Sequence, residues 1–170
     1  MNSFTTQAAA RWTKILLLAS VALFFTLVVF NNITDFNSNY QFVRHVLSMD
    51  TTFPGNRGMW RALDAPAFHL TFYIGVICWE AVNMALGWAG AVALFRARNT
   101  SPAAFTSAKR VGVVALTSGI LLWLVAFITV GGEWFLMWQS HQWNGQDAAF
   151  RMFAVEAILL ILLLMPEPTA

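Results

Sequence analysis

The sequence predicts an all-α membrane protein, built as an antiparallel four-helix transmembrane bundle. The chain has 170 residues, of which 58% are hydrophobic and only 11% are charged. This composition is wrong for a soluble domain of this size and typical of a small protein that crosses the bilayer several times. Four long apolar runs divide the chain, and basic residues gather beside their ends. The chain has no internal repeat and no sign of a second domain, so residues 1–170 are interpreted as one membrane domain.

The four apolar runs are interpreted as four membrane spans. About 20 apolar residues are needed to cross a hydrocarbon core of roughly 30 Å. The first and last runs lie near this limit, whereas the two middle runs are long enough to tilt or to project into water. The predicted spans cover approximately residues 12–30, 66–95, 111–138 and 148–165.

The distribution of basic residues predicts the orientation of these spans. The loop between the second and third spans is short, basic and free of acidic residues. In such a loop, positive charge marks the cytoplasmic side of the membrane. We therefore expect both termini in the cytoplasm, with residues 31–65 and 139–147 outside. Six of the ten lysine and arginine residues flank the predicted cytoplasmic side: Arg11, Lys14, Arg96, Arg98, Lys109 and Arg110.

The first outer loop, residues 31–65, is predicted to contain a helix over approximately residues 39–53. Its apolar residues, such as Val46 and Met49, recur at helical spacing, and polar residues such as Arg44 fill the opposite face. Asparagine and serine side chains just before the helix can serve as its N-cap. This pattern indicates an amphipathic helix that lies in the membrane interface.

Small residues predict how the middle spans pack. Because lipid provides little hydrophobic drive between helices, spans associate where small residues let their backbones approach closely. We expect the second and third spans to form the packed centre, and the same faces to suit another membrane protein or a second copy. Asp64 and Pro66 are predicted to cap the second span, and Cys78 to be a small buried core residue. The small residues are the ridge Ala81, Ala85, Ala89 and Ala93 in the second span, with Gly87 and Gly90 beside it, and Gly112, Ala115 and Gly119 in the third.

Three acidic residues lie within predicted spans, at Glu80, Glu133 and Glu156. Ionisable residues inside a membrane are costly, so each is a candidate functional site as well as a candidate structural group. Asn83 follows Glu80 by three residues, shares its helix face and is positioned to donate a hydrogen bond to it. Glu133 and Arg151 are predicted to form an ion pair that joins the third and fourth spans just beneath the outer surface.

Further polar and aromatic residues are predicted on the outer face. The three histidines there, with Asp50 and Glu133, are considered as a metal site, but no two histidines have ligand-like i, i+3 or i, i+4 spacing. The sequence has no HExxH, Walker, GxSxG or CxxC motif. We therefore assign no metal, no cofactor and no catalytic residue. The outer-face candidates are Arg44, His45, Asp50, Trp60, Arg61, His69, Trp134, His141 and Trp143.

Two long outer segments carry distinctive strings. They are FVRHVLSMDTTFP at 42–54, WRA at 60–62, Pro66 and His69, GGEWFLMWQS at 131–140, WNGQ at 143–146 and FR at 150–151. On these strings the chain resembles, over nearly its whole length, the bacterial family described as predicted small integral membrane proteins, domain-of-unknown-function family number twenty-one sixty-five. The resemblance implies a four-span protein of the bacterial inner membrane, and it implies no activity.

Three hypotheses for the function remain open at this point. The first is a non-enzymatic accessory or assembly subunit of a larger membrane complex, suggested by small size and an aromatic-rich outer surface. The second is a small transporter coupled to protons or cations through Glu80 and Glu156. The third is a periplasm-facing metal or quinone site around His69, His141 and Glu133. A sealed Glu80 favours the first hypothesis, and a water-filled path to Glu80 favours the second.

Overall fold

The computed structural model describes residues 6–167, and all regular secondary structure in that range is helical, which confirms the all-α prediction. Two short 3₁₀ turns, Met59–Arg61 and Met137–Gln139, lie in the connections between longer helices. The longer elements are α1 (Thr6–Thr34), α2 (Phe36–Ser48), α3 (Pro66–Ala97), α4 (Pro102–Ala108), α5 (Arg110–Leu121), a π-helix (Leu122–Trp134) and α6 (Gln146–Leu164).

Within residues 6–167, three helices are long and apolar enough to cross a membrane: Thr6–Thr34, Pro66–Ala97 and the continuous stretch Pro102–Trp134. The next long helix, α6, has 19 residues. Because they include two acids and one arginine, α6 is too charged to be counted with these candidate spans. One end of the bundle, here called the terminal end, contains the start of α1, the α3–α4 connection and residues 165–167. The opposite end, called the loop end, contains α2 and residues 135–145.

Glycines on α3 let it lie close to its neighbours, and α3 packs along α1 on one side and α5 on the other. A Cβ atom added to Gly87 would lie 2.9 Å from the Ala22 side chain of α1. A Cβ added to Gly90 would lie 2.8 Å from the backbone nitrogen of Gly112 on α5. The backbones therefore meet where no side chain intervenes, as expected for helices that associate in lipid. The bundle continues from α5 to α6, and α6 returns to α1.

The expectation that the alanine ridge of the second span forms this contact was wrong. Ala85 and Ala89 are exposed, and Ala81 and Ala93 are half-buried. Each helical residue turns the chain by about 100°, so the ridge lies opposite the face that carries Gly87 and Gly90. The inward face also holds the buried polar residues of α3, which have to avoid lipid. The alanine ridge consequently faces outward.

Two other expectations for the second span need correction. Cys78 is exposed rather than buried, because it lies on the same outward face as the alanine ridge. The N-cap of α3 is Ala65 rather than Asp64, and no side chain bonds to the first turn there. Pro66 is the first helical residue and needs no hydrogen-bond partner for its nitrogen.

The connection after α1 folds into α2, which ends at Met49 in the left-handed region with φ 53°. The sequence predicts this helix over approximately residues 39–53. In the structure it covers Phe36–Ser48, so it both begins and ends earlier than predicted. Its N-cap is Asp35, whose carboxylate accepts a hydrogen bond from Ser38 rather than capping the backbone, so the expected asparagine cap is not used. Val46, Leu47 and Met49 are buried against Phe135 and Met137, whereas the Arg44 side chain is exposed.

The stretch Leu122–Trp134 is a π-helix of 13 residues. Its hydrogen bonds reach back five residues, as from the Phe135 nitrogen to the Val130 carbonyl. Runs of this kind are rare, are mostly single turns and frequently lie at functional sites. Although α3 packs closely on α5, it makes little contact with the π-helix, so the two long helices separate toward the loop end.

We predict that Gly90→Ala destabilises the protein by about 1–3 kcal/mol, because the new methyl group would push against the α5 backbone. Gly75→Ala is the matched control on the same helix, since a Cβ there has nothing within 4 Å. Thermal unfolding in detergent measures both variants. Equal melting temperatures for the two variants would contradict the close contact between α3 and α5.

Candidate functional site

A chain of hydrogen bonds joins three helices at the loop end. The carboxylate of Glu80 on α3 is 3% exposed, and its Oε2 accepts a hydrogen bond of 2.6 Å from Asn32 Nδ2 on α1. The side-chain oxygen of Asn32 accepts in turn from Asn39 Nδ2 on α2, at 2.6 Å, and from the Tyr73 hydroxyl, at 3.2 Å. Within this network, each hydrogen-bond donor is therefore directed toward the side chain of Asn32 or of Glu80.

These polar groups line a chamber of about 240 Å³. Its polar side chains are Asn31, Asn32, Asn39, Tyr73 and Glu80, and no basic side chain is among the residues that line it. The chamber is therefore polar, and any charge on its walls is negative.

An apolar cleft of about 470 Å³ lies beside the chamber. The cleft separates α3 from the π-helix, and α2 contributes Phe42 and Val43 to its wall. Phe42, Val43, Val76 and Phe127 line both spaces, so the cleft and the chamber are neighbours. Thr71 is the only polar side chain other than the Trp79 indole among the residues that line the cleft.

The second acid, Glu156, is sealed inside the bundle with 0% exposure. Its Oε1 accepts a hydrogen bond of 2.9 Å from the indole nitrogen of Trp123, a residue that also lines the chamber. Gly119 of α5 packs directly on the carboxylate, and a Cβ at that position would overlap Oε2. Oε2 itself has no hydrogen-bond partner. The ring of Trp123 is thus linked to both the chamber and Glu156.

Asn83 does not bond to Glu80, contrary to expectation. Its amide oxygen and nitrogen are buried without a hydrogen-bond partner, because Asn32 approaches Glu80 from the neighbouring helix instead. Sequence reasoning missed the role of Asn32. The signal was present, since Asn31 and Asn32 follow the first apolar run and α1 continues through them to Thr34.

The predicted ion pair between Glu133 and Arg151 was also wrong. Both side chains are exposed, and neither belongs to a salt bridge in residues 6–167. The residue that faces α6 at this level is Gly132, which packs against the Gln146 side chain. The Glu133 side chain therefore points outward, and its backbone carbonyl accepts a hydrogen bond of 3.5 Å from the Arg61 guanidinium.

An aromatic cluster with one cation lies at the loop end. The ring centroids of Trp60 and Trp134 are 5.7 Å apart in an edge-to-face arrangement. The Arg61 guanidinium lies 5.7 Å from the Trp60 ring and 5.4 Å from the Trp134 ring, which is within cation–π range. Trp60 is 75% exposed, so the cluster has an open face.

The histidines are dispersed rather than gathered. His45 contacts Asp50 at 2.8 Å and stacks on Trp143 with centroids 4.6 Å apart. His69 is buried against the Leu63 carbonyl, and His141 is exposed. Over the described range 6–167, no three histidine, cysteine or acidic side chains come together in a way that would hold a metal ion. Arg44, the remaining outer-face candidate, bonds to the neighbouring Gln41.

A buried charge cluster closes the terminal end, and sequence reasoning missed it. Glu167 accepts from Arg11 at 2.9 Å and from Lys14 at 3.0 Å, and Lys109 lies 3.5 Å away. Burial alone would raise the pKa of the Glu167 carboxyl. The hydrogen bonds from Arg11 and Lys14, with the charges of the two lysines, outweigh burial and hold that pKa below its ordinary value. No local spacing could reveal a contact between residues 156 positions apart.

Comparison with known proteins gives one match. A family model described as "Predicted small integral membrane protein (DUF2165)" matches residues 10–166, which is nearly the whole chain. This is the family that the two outer segments resemble, so the resemblance is confirmed. No curated protein and no solved structure matches the chain significantly.

We predict that Glu80→Leu destabilises the protein by about 1–3 kcal/mol, because Asn32 Nδ2 would lose its acceptor inside the bundle. Glu80→Gln keeps an acceptor oxygen and serves as the control, with a smaller loss. Adding Asn32→Leu to Glu80→Leu should cost less than the sum of the two single losses. Thermal unfolding of the four variants in detergent measures the coupling, and strict additivity would contradict the hydrogen bond.

The charge cluster predicts a dependence of stability on pH. Because the folded pKa of Glu167 lies below the ordinary value of 4.5, its stabilising contribution is complete above that value. The contribution is lost as pH falls through the lower folded pKa, since the protonated carboxyl no longer pairs with the cations. Unfolding temperatures measured from neutral to acidic pH should therefore fall further for the native chain than for Glu167→Gln. Parallel curves of unfolding temperature against pH for the two proteins would mean that Glu167 does not contribute to the loss of stability in acid.

Proposed function

Since the chain belongs to the family of predicted small integral membrane proteins, we propose a function exerted inside the bilayer. The chain is a non-enzymatic accessory or assembly subunit, which binds a helix of a larger membrane complex through α3. The observation that carries this proposal is the outward face of α3.

The docking face of α3 consists of Cys78, Val82, Ala85 and Ala89, all of which are exposed. They recur at spacings of four, three and four residues, so they form one stripe along the helix. The other outward surfaces differ, since α1 exposes Leu23, Leu27 and Phe30, and α6 exposes Ile158, Ile161 and Leu164. Compared with these two outward faces of α1 and α6, the stripe on α3 has smaller side chains, so a partner backbone can approach it closely.

The expected partner is a transmembrane helix of another protein that presents small residues of its own. Between helices in lipid, close packing supplies most of the association energy, because lipid chains are as apolar as leucine. The open aromatic cluster at Trp60, Arg61 and Trp134 adds a second exposed surface at the loop end. Exposed tryptophan and arginine residues are the types that most often carry interface energy.

We place the subunit in the bacterial inner membrane with α6 as a fourth span, which makes an antiparallel four-helix transmembrane bundle. The charge in the middle of α6, Glu156, is turned inward onto Trp123, so lipid would meet mainly apolar side chains. Asp147 and Arg151 lie in its first two turns, near the loop end. Basic residues at the terminal end support cytoplasmic termini. In this arrangement α2 lies along the outer interface.

A carrier for protons or cations is the second candidate. Glu80 supports it, because this carboxylate lines a chamber. A carrier also needs a continuation beyond the chamber. Glu156, the next acid, has no exposed surface and lies behind Trp123, with Gly119 packed against it. The chamber is therefore better suited to binding a polar group than to conducting protons or cations through the bundle.

We predict that a photoreactive residue at Val92, exposed beside the docking face, crosslinks to a different protein in cells. The same residue at Ile158 on α6 is the matched control and should capture only lipid. Ala85→Leu should lower the Val92 adduct by about tenfold, because overfilling a close helix contact costs about 1–3 kcal/mol. Mass spectrometry identifies the adduct.

Two outcomes would overturn the accessory role. An adduct with twice the mass of the chain would mean that copies of the chain bind each other. Capture of lipid alone from Val92 would mean that the docking face is in contact with the bilayer and with no protein.

A further inference from the structure

We propose that the cleft and the chamber together form a binding site for one amphiphile with a single apolar chain. Its head group donates hydrogen bonds, carries no negative charge and contacts Glu80, while its apolar chain fills the cleft. This site adjoins the docking face of α3 at its loop-end limit, where Gly75 precedes Cys78 by three residues, and it goes beyond an accessory role.

The dimensions of the two spaces suit a small molecule. The cleft measures about 470 Å³ and the chamber about 240 Å³, and ligand pockets commonly enclose roughly 300–1,000 Å³. An apolar space that joins a smaller polar space matches a molecule with a long apolar part and a compact polar head. A wholly apolar ligand would leave the polar groups of the chamber without partners, and a wholly polar ligand would not match the apolar walls of the cleft.

The hydrogen bonds of the chamber define the head group. Tyr73 and Asn39 donate to Asn32, and Asn32 donates to Oε2 of Glu80. Oε1 of Glu80 receives no hydrogen bond from the described residues, although the side chain is buried and lines the chamber. This oxygen is not among the buried atoms without a partner, so it keeps accessible surface and is free to accept a hydrogen bond from a ligand. A hydroxyl or ammonium group of the ligand would supply the missing donor.

The same wall excludes an anionic head group. No lysine, arginine or histidine lines the chamber, so a phosphate or carboxylate would meet Glu80 without a compensating cation. Placing two like charges in a site of low dielectric constant costs far more than it would in water. The head group is consequently neutral or positively charged.

The π-helix provides the second observation that points to a ligand. Val125, Ala126, Phe127, Val130 and Gly131 all belong to it and all line the cleft. Whereas α5 packs closely on α3, the π-helix that follows it makes little contact with α3 and forms the opposite wall of the cleft. Such a rare conformation persists where the surroundings impose it, and it commonly marks a functional site.

The ligand would enter sideways from the bilayer. The rim of the cleft is formed by Phe72 and Gly75 on α3 and by Val125 on the π-helix, and all three are exposed. Leaving the lipid for the cleft keeps the apolar chain in apolar surroundings throughout. Only the head group changes its environment, and it gains the Glu80 carboxylate.

The test uses three probes with the same long, photoactivatable alkyl chain: a fatty alcohol, a fatty amine and a fatty acid. Each is applied at mildly alkaline pH, so that Glu80 and the fatty acid are ionised while the amine stays protonated, to the purified full chain in lipid nanodiscs. The labelled peptides are identified by mass spectrometry. The alcohol and the amine should label residues 71–79 and 125–131. The fatty acid should label them about tenfold less, since its charge opposes Glu80.

Gly75→Leu should reduce labelling by the alcohol and the amine about tenfold, because the new side chain would occupy open space in the cleft. Val125→Phe, on the opposite wall, should act in the same way and provides a second blocking variant. Ala85→Leu adds a leucine to the same helix outside the cleft, so it should leave labelling unchanged. Val125→Phe, which lies on the π-helix and not on α3, should likewise leave the protein crosslink from Val92 unchanged.

Glu80→Gln tests the head group. It keeps the acceptor for Asn32 but adds an amide donor, so labelling by the amine should fall about tenfold while labelling by the acid rises. Equal labelling of the native chain by the amine and the acid would overturn the proposal. So would labelling of both cleft walls that neither blocking variant reduces, or that Ala85→Leu reduces to the same extent.

Discussion

A carboxyl group placed inside a membrane has to find its hydrogen-bond partners within the protein, and the rotation of α3 follows from this constraint. Glu80 and Asn83 share one side of α3 with Gly87 and Gly90, so a single orientation buries the polar groups and brings the glycines against α1 and α5. The contact between Glu80 and Asn32 then determines how far α1 extends, because α1 has to remain helical through Asn32 to deliver its amide. The outward position of the small-residue stripe is the other consequence of this rotation.

The loop end is organised around the place where α3 and the π-helix separate. At the terminal half of the bundle, α3 and α5 are held together by contacts between glycine backbones. Toward the loop end their side chains no longer interlock, and α2 folds back over the gap with Val46 and Leu47 buried beneath it. The separation creates both an apolar cleft and a polar chamber, since the walls of the gap come from helices with different inward faces. The close-packed half and the open half of the bundle are therefore suited to different tasks, one to stability and one to binding.

Composition and periodicity were enough to predict the helical class and the membrane location, because these depend on local hydropathy. Periodicity could not say which side of α3 faces inward, since the stripe of Ala85 and Ala89 and the stripe of Gly87 and Gly90 are equally regular. Side-chain partners were predicted poorly for a related reason. Asn83 was the obvious partner for Glu80 along the chain, but the partner comes from another helix, and only the three-dimensional packing reveals it. The π-helix left no readable signal, because its residues are as apolar as those of an ordinary span.

The cluster around Glu167 bears on how the protein is made. Arg11 belongs to α1, whereas its carboxylate partner is synthesised 156 residues later. Until the last helix is in place, Arg11, Lys14 and Lys109 have no acid to neutralise them at this end, and unpaired cations resist transfer across a bilayer. The same three side chains thus act at two moments of biosynthesis. They are unpaired cations while the later helices are being made, and Glu167 neutralises them only after α6 has been synthesised.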